Sequence, residues 1–501
     1  MMGYEAPDQD QLFVYGIYLE QRVRTNHPLR KIKALIDFSF VYDEVEETYG
    51  ENGNVSLPPP VILKLMLLLI FYNVRSEREL METLPERLDW LWFLGYTLDS
   101  SIPDHSVLSK ARSRWGKEAF RRFFEQVVSQ CVKAGLVDGS KLFIDASLID
   151  ADASNNSVVN TRSLTRYLKK GYTELEQRLD EKEHDDEASI RQARSDVNKR
   201  HVSTTDPDAA IVNHGGAPHL YYKTHRTVDP AHEIITACEI THGATNEAHR
   251  MLPLIEAHEA NTSTVVETVV ADSMYGTIEN FLALHERKIQ GHIPLLKRTH
   301  ENKGRKEGIF PEEAFTYDPS TDTFTCPAGT TMKKRTFHLH RQSTEYRAAK
   351  KQCMACALRA QCTRSPSGRA VHRHSHKDAL DAMLAQATTS SARRDIATRK
   401  HLMERSFARS TRYGFDRARW RRLFRVSIQE YLTCAIQNIQ VLINAVRNPL
   451  RGARGIAPLQ RAGRALAHCN RQFFLCLRSV HVTMLLIGWD SDLGVRVRST
   501  C

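Results

Sequence analysis

Three acidic residues in this chain sit where a carboxylate needs a partner. Asp145 lies inside Leu142 to Ser154, LFIDASLIDADAS, whose residues Leu142, Phe143, Ile144, Leu148 and Ile149 predict a mostly buried strand. An ionised Asp there is costly unless a cation or hydrogen-bond donors meet it, and a metal ion is the simplest partner. The plainer alternative is that Asp145 caps a short strand while Asp150 and Asp152 occupy a solvated turn. Asp272 directly follows the apolar run Val265 to Ala271, in ADSMYG, at the C-terminal end of a predicted strand. Ligand sites of open α/β sheets collect at such ends, although an Asp between strand and helix is equally well an N-cap. Both roles coexist only if one carboxylate oxygen stays available. Glu404, in RKHLMERSFARSTRYGF, is either the i,i+4 partner of Lys400 or a carboxylate placed beside a nucleic-acid backbone.

Four of the ten cysteines cluster: Cys326, then Cys353 and Cys356 in C-x-x-C spacing, then Cys362. Two thiolate pairs fill the tetrahedral shell of a structural zinc ion. His338, His340, His372, His374 and His376 are near enough in sequence to replace one cysteine. A redox role is disfavoured because no thioredoxin-like βαβ frame surrounds the pair.

The elements that must position these groups follow from periodicity. Residues 1–136 read as an all-helical domain, with three prolines (Pro58, Pro59, Pro60) opening an apolar helix and a Ser76/Glu79 capping box opening the next. A short helix after Pro103-Asp104-His105-Ser106 carries Lys110, Arg112 and Arg114 and is suited either to a DNA groove or to solvent. Residues 137–297 follow the order three strands, helix, strand, helix, strand, and Glu174 to Arg200 reads as a charged helical excursion within them. The rhythm stops over 298–391, which holds the cysteines. It resumes over 392–446, where Glu404 sits on a helix and a second amphipathic helix, Val426 to Val446, packs on the core. Residues 447–501 form a basic, linker-like tail with no functional reading.

Net charge is +11, which suits a polyanionic partner. Lys400, Arg409, Arg412, Arg417, Arg421 and Arg425 crowd around Glu404 and extend the candidate DNA-binding set. No apolar run is long enough to span a bilayer and Met1 to Asp10 is polar and acidic, so a cytoplasmic protein with reduced or metal-bound cysteines is expected.

In their order along the chain these pieces resemble the DDE-type transposases of bacterial insertion sequences. The resemblance runs from about Pro58 to Val446 and rests on PPPVILK, VRSEREL and IPDHS, Asp145, TTDPDA, YYKTH, VVADSMYG, CMACALRAQC, and the Glu404 helix followed by YGF and IQNIQVL. It implies an RNase H-like mixed sheet flanked by helices, an all-helical N-terminal domain and an insertion between the second and third acids. It further implies Asp145, Asp272 and Glu404 as ligands of two Mg²⁺ or Mn²⁺ ions. The expected partners are double-stranded DNA, at element terminal repeats and at the target, and further copies of the chain assembled on DNA in the nucleoid. Where relatives carry Arg before and Lys after the Glu, Lys400 and Thr411 stand here. The activity implied is cleavage at element ends and 3′-hydroxyl strand transfer. Two other readings fit the residues: a zinc-stabilised DNA-binding protein without catalysis, and a nuclease of the same fold that does not join strands.

Overall fold

The computed structural model describes residues 18–50, 56–160, 201–294 and 308–447. The helix expected over Glu174 to Arg200 and the tail after Arg447 lie outside them.

Among the described residues eight α-helices come first: α1 (Leu19–Arg22), α2 (Pro28–Leu35), α3 (Val41–Val45), α4 (Pro59–Phe71), α5 (Glu77–Thr83), α6 (Leu88–Leu94), α7 (Ser106–Trp115) and α8 (Glu118–Lys133). Pro59 and Pro60 start α4, whose missing first N–H groups cost nothing, and apolar residues on nearly every side bury it at the centre of the helical domain. Ser76 caps α5 by accepting the Glu79 N–H at 3.1 Å. Trp90, Trp92 and Phe93 are core residues.

After α8 come β1 (Lys141–Asp150), the ribbon strands β2 (Val158–Asn160) and β3 (His201–Ser203), then β4 (Ala210–Val212), β5 (His219–Asp229), β6 (Ile234–His242), β7 (Thr268–Val270) and β8 (Gln290–His292). The meander expected from sequence is present: β1 pairs antiparallel with β5, and β5 with β6. On its other edge β1 pairs parallel with β7, and β7 with β8. Across the sheet the order is therefore β6-β5-β1-β7-β8, with short β4 also on β5. Three antiparallel strands followed by two parallel ones, with helices on both faces, form the RNase H-like mixed sheet.

Helices α9 (Met251–Thr262) and α10 (Ile278–Glu286) cover one face, where Leu142, Ile144, Val269 and Ala271 meet Leu254, Ile255 and Leu284. The opposite face, carrying Ile149 and Tyr222, packs against Phe415 and Val426. Two elements are shorter than periodicity predicts. Strand β7 spans three residues, because only these find partners on both sides and Val265 is exposed. The helix expected from Thr245 begins as a 3₁₀ turn, Glu247–Arg250, and becomes α-helical at Met251.

The insertion, which carried no strand rhythm in sequence, builds its own antiparallel sheet. Strands β9 (Thr316–Asp318), β10 (Thr323–Thr325), β11 (Thr331–His338), β12 (Ser343–Arg347) and β13 (Ala370–His374) lie in chain order across it. One face buries Phe324, Met332, Tyr346 and Val371 around Phe315. Two short helices, α11 (Lys350–Met354) and α12 (Arg359–Cys362), carry Cys353 and Cys362, and Cys356 lies between them. Helix α13 (Lys377–Ala387) already belongs with the central sheet, since Leu380 and Met383 join its core. The chain then runs through α14 (Ser390–Thr411) and α15 (Leu423–Arg447).

Candidate active site

The parallel register of β1 and β7 sets the first two acids side by side. Its last printed pair is Phe143 with Val270, and both aspartates stand two residues further along. Alternation along adjacent strands then gives them the same face of the sheet. Asp272 performs the capping role: its Oδ1 accepts the Met274 N–H of the following turn at 2.8 Å. Its Oδ2 has no hydrogen-bond partner among the described residues, so one oxygen remains for a ligand.

Asp145 is largely buried, and it meets a cation. Its Oδ2 lies 2.6 Å from Nη1 of Arg399 on α14, and its Oδ1 accepts the Ala146 N–H at 2.9 Å. Burial pushes the carboxyl up to about 6 in spite of Arg399, with the negative charges of Asp272 and Glu247 adding to the rise. A group so placed gains from any further positive charge. Glu247 itself is held by Lys223, whose Nζ is 3.0 Å from Oε1.

Helix α14 is tied to this face at several points. Asp395 receives Lys141 at 3.0 Å and His292 at 2.8 Å, and Leu402, Met403, Ser406 and Ser410 are buried. Beside Asp145 on β5, its register partner Arg226 is buried and gripped from both helices. Nε and Nη2 reach Glu430 of α15 at 2.5 and 2.6 Å, and Nη1 reaches the Ser410 hydroxyl at 2.7 Å.

Among the described residues Glu404 makes no hydrogen bond or ion pair with Asp145 or Asp272. It is exposed on α14, five residues beyond Arg399 and therefore about 140° around the helix from it. The side that faces Asp145 carries Arg399, and the additional acid that acts on Asp145 is Glu247. Neither residue was singled out by sequence reasoning. The available signal for the buried pair was weak: one Arg in the strand HLYYKTHRTV and one Glu in the apolar helix VSIQEYLTCAI.

Cys326, Cys353, Cys356 and Cys362 line one pocket together with Phe310, Phe315, Met332 and Leu358, and no histidine is among its lining residues. Burial raises the Cys362 thiol, Arg369 opposes this, and the other three thiols add to it. Gly368, at φ +88°, passes so close that a Cβ there would lie 3.0 Å from the Cys353 sulphur.

The basic residues divide into surface and interior. Lys110, Arg114, Lys400 and Arg412 are exposed. Arg409 pairs with Glu233 at 2.7 Å, while Arg417 and Arg421 share Asp152 at 3.1 and 3.2 Å; Arg425 is half-buried over the Phe424 ring. Arg112 corrects the sequence expectation. It is buried, paired with Glu77 and stacked 4.1 Å from the Trp420 ring centroid, so it braces the helical domain rather than meeting DNA.

Residues 17–114 match the family described as Transposase domain (DUF772), and residues 325–443 match the one described as Transposase DDE domain. The chain is a DDE-type transposase of insertion sequences. No curated protein and no solved structure matches it. The second match starts beyond both aspartates of the transposase and contains Glu404 and all four cysteines. Family membership brings DNA as partner and a divalent metal as cofactor. Among the described residues of the transposase no helix is long and apolar enough to cross a membrane.

Proposed function

We propose that this transposase cleaves DNA at the ends of its element and transfers the freed 3′-hydroxyl into target DNA, with Asp145 and Asp272 as the pair that holds the catalytic metal. The observation that carries the reading is the strand register that aligns these two carboxylates, one of them buried and shifted, the other with an oxygen to spare. Hard oxygen donors of this kind suit Mg²⁺ or Mn²⁺. Two such ions, when bound, activate the attacking oxygen and stabilise the leaving one.

Each step exchanges one bond for another. Water adds to phosphorus as the P–O3′ bond breaks, and the departing oxygen takes up a proton to become the 3′-hydroxyl. That hydroxyl then attacks a target phosphorus, losing its proton and displacing the target's own 3′ oxygen. No covalent enzyme intermediate is needed. Asp145 supplies negative charge from within β1, and Asp272 from the capped turn that follows β7. The exposed cations Lys110, Arg114, Lys400, Arg412, Arg417 and Arg421, with Arg409 and Arg425, hold phosphates.

Glu404 is proposed as the third ligand on the family resemblance; joining the aspartates requires α14 to release Arg399 from Asp145 and turn. The cysteine set is proposed to hold one structural zinc, which the shared pocket and the close pass of Gly368 support. Residues 1–136, 137–297 with 392–446, and 298–391 are proposed to serve as DNA-binding, catalytic and inserted parts, and the chain to act as a homo-oligomer on DNA.

The test is a strand-joining assay with Mg²⁺ or Mn²⁺ on Asp145→Asn, Asp272→Asn and Glu404→Gln. The first two should abolish cleavage and joining and retain DNA binding. Normal activity in Asp145→Asn would remove the reading, and an active Glu404→Gln beside an inactive Glu247→Gln would move the third ligand to Glu247.

A further inference from the structure

The insertion sheet has two faces of different character. One is the apolar core described above; the other presents His338 of β11, Glu345 of β12 and His372 of β13. Register explains their meeting. Glu345 and His372 are direct cross-strand partners, and His338 pairs with Ser343, two residues before Glu345 and on the same face. The three ligand atoms all lie within 4.8 Å of one another.

We propose that His338, Glu345 and His372 form a second metal site of the transposase, separate from the aspartates and from the cysteines, that takes a borderline divalent cation of the zinc class. Two imidazoles and one carboxylate are the donor set of three-ligand zinc sites, which leave the fourth position to water. Such a set ranks zinc, nickel and cobalt well above magnesium. Nε2 of His338 and Oε2 of Glu345 are 3.3 Å apart. That is long for a charge-assisted hydrogen bond, and it equals the edge of a tetrahedron whose metal–ligand bonds are about 2.0–2.1 Å.

Glu345 is also prepared as a ligand. Its second oxygen is held by the Arg347 guanidinium on the same strand. A carboxylate fixed by an outer partner in this way is the usual support of a metal ligand. The ion would brace three strands next to the register shift that β11 makes between Lys334 and Phe337.

The experiment uses full-length protein in magnesium buffer, titrated with Zn²⁺ against a chromophoric chelator and, separately, with Co²⁺. Wild type should bind about one ion per chain more than His372→Gln or His338→Gln, or bind it at least about tenfold more tightly. The Co²⁺ spectrum of wild type minus that of His372→Gln should show tetrahedral visible bands without the intense thiolate band, which a filled cysteine site contributes equally to both. His372 is exposed, so its variant should melt as wild type does once metal is removed. Asp145→Asn should keep the extra ion, which separates this outcome from the fate of the catalytic proposal. Equal zinc content and affinity in wild type and both histidine variants would overturn the site and leave an ordinary cross-strand pair. Loss of the ion in Cys353→Ser but not in His372→Gln would overturn it as well, assigning the metal to the cysteines.

Discussion

Asp145 is where burial and charge compete most directly. Its folded carboxyl sits at about 6 against an ordinary 3.8. The folded state therefore binds this proton more tightly than the unfolded chain does. The contribution favours folding below about pH 4 and is lost as pH rises through 6. Urea unfolding of the metal-free protein should accordingly show stability falling between pH 4 and 7 by up to roughly 3 kcal/mol from this group. Asp145→Asn should lack that slope. Mn²⁺ at pH 8 should raise the melting temperature of wild type and leave that of Asp145→Asn unchanged, because the charge that recruits the ion is gone. The buried Arg226–Glu430 pair predicts a different behaviour. Glu430→Gln leaves a guanidinium in the interior without its countercharge, a loss of about 3–5 kcal/mol measurable by chemical denaturation.

At the scale of elements, α14 decides what reaches the aspartates. The face it turns to the sheet carries Asp395, Arg399, Met403, Ser406 and Ser410, and Glu404 falls off that stripe. The insertion sheet depends on its own small core and on the cysteine turn. The cysteine set should account for about one zinc per chain in protein prepared without chelators, retained in His372→Gln, and Cys353→Ser should expose the insertion to limited proteolysis while the central sheet stays folded. Gly368→Ala tests the same pocket without touching a thiol. Its positive φ and the 3.0 Å approach to the Cys353 sulphur both oppose a Cβ, so zinc retention should weaken.

For the whole molecule, affinity for DNA should come from phosphate contacts spread over the basic surface. Neutralising Arg417, Arg421 and Arg425 together should weaken binding on any sequence and reduce the slope of log K against log salt by up to about 3. An unchanged slope would mark these arginines as partners of Asp152 and the protein surface only. Arg112→Gln is the contrasting case. It should lower stability through loss of the Glu77 and Trp420 contacts, with the salt slope preserved.

Patterns that act locally were readable in the chain itself. Alternation and turn residues located β1, β5 and β6, the prolines and Ser76 located α4 and α5, and C-x-x-C spacing located the cysteine pocket, because each depends on neighbours a few positions away. The strand order that brings Asp272 beside Asp145 was legible only as far as one carboxylate inside the first strand and another at the end of a later one. What the tertiary structure alone decided is which residues face one another across long separations. Arg399 rather than Glu404 meets Asp145, Arg112 turns inward, and three separate strands assemble His338, Glu345 and His372. Helix rotation and strand register set these encounters, and both are fixed by packing summed over the whole core, which no short window of sequence contains.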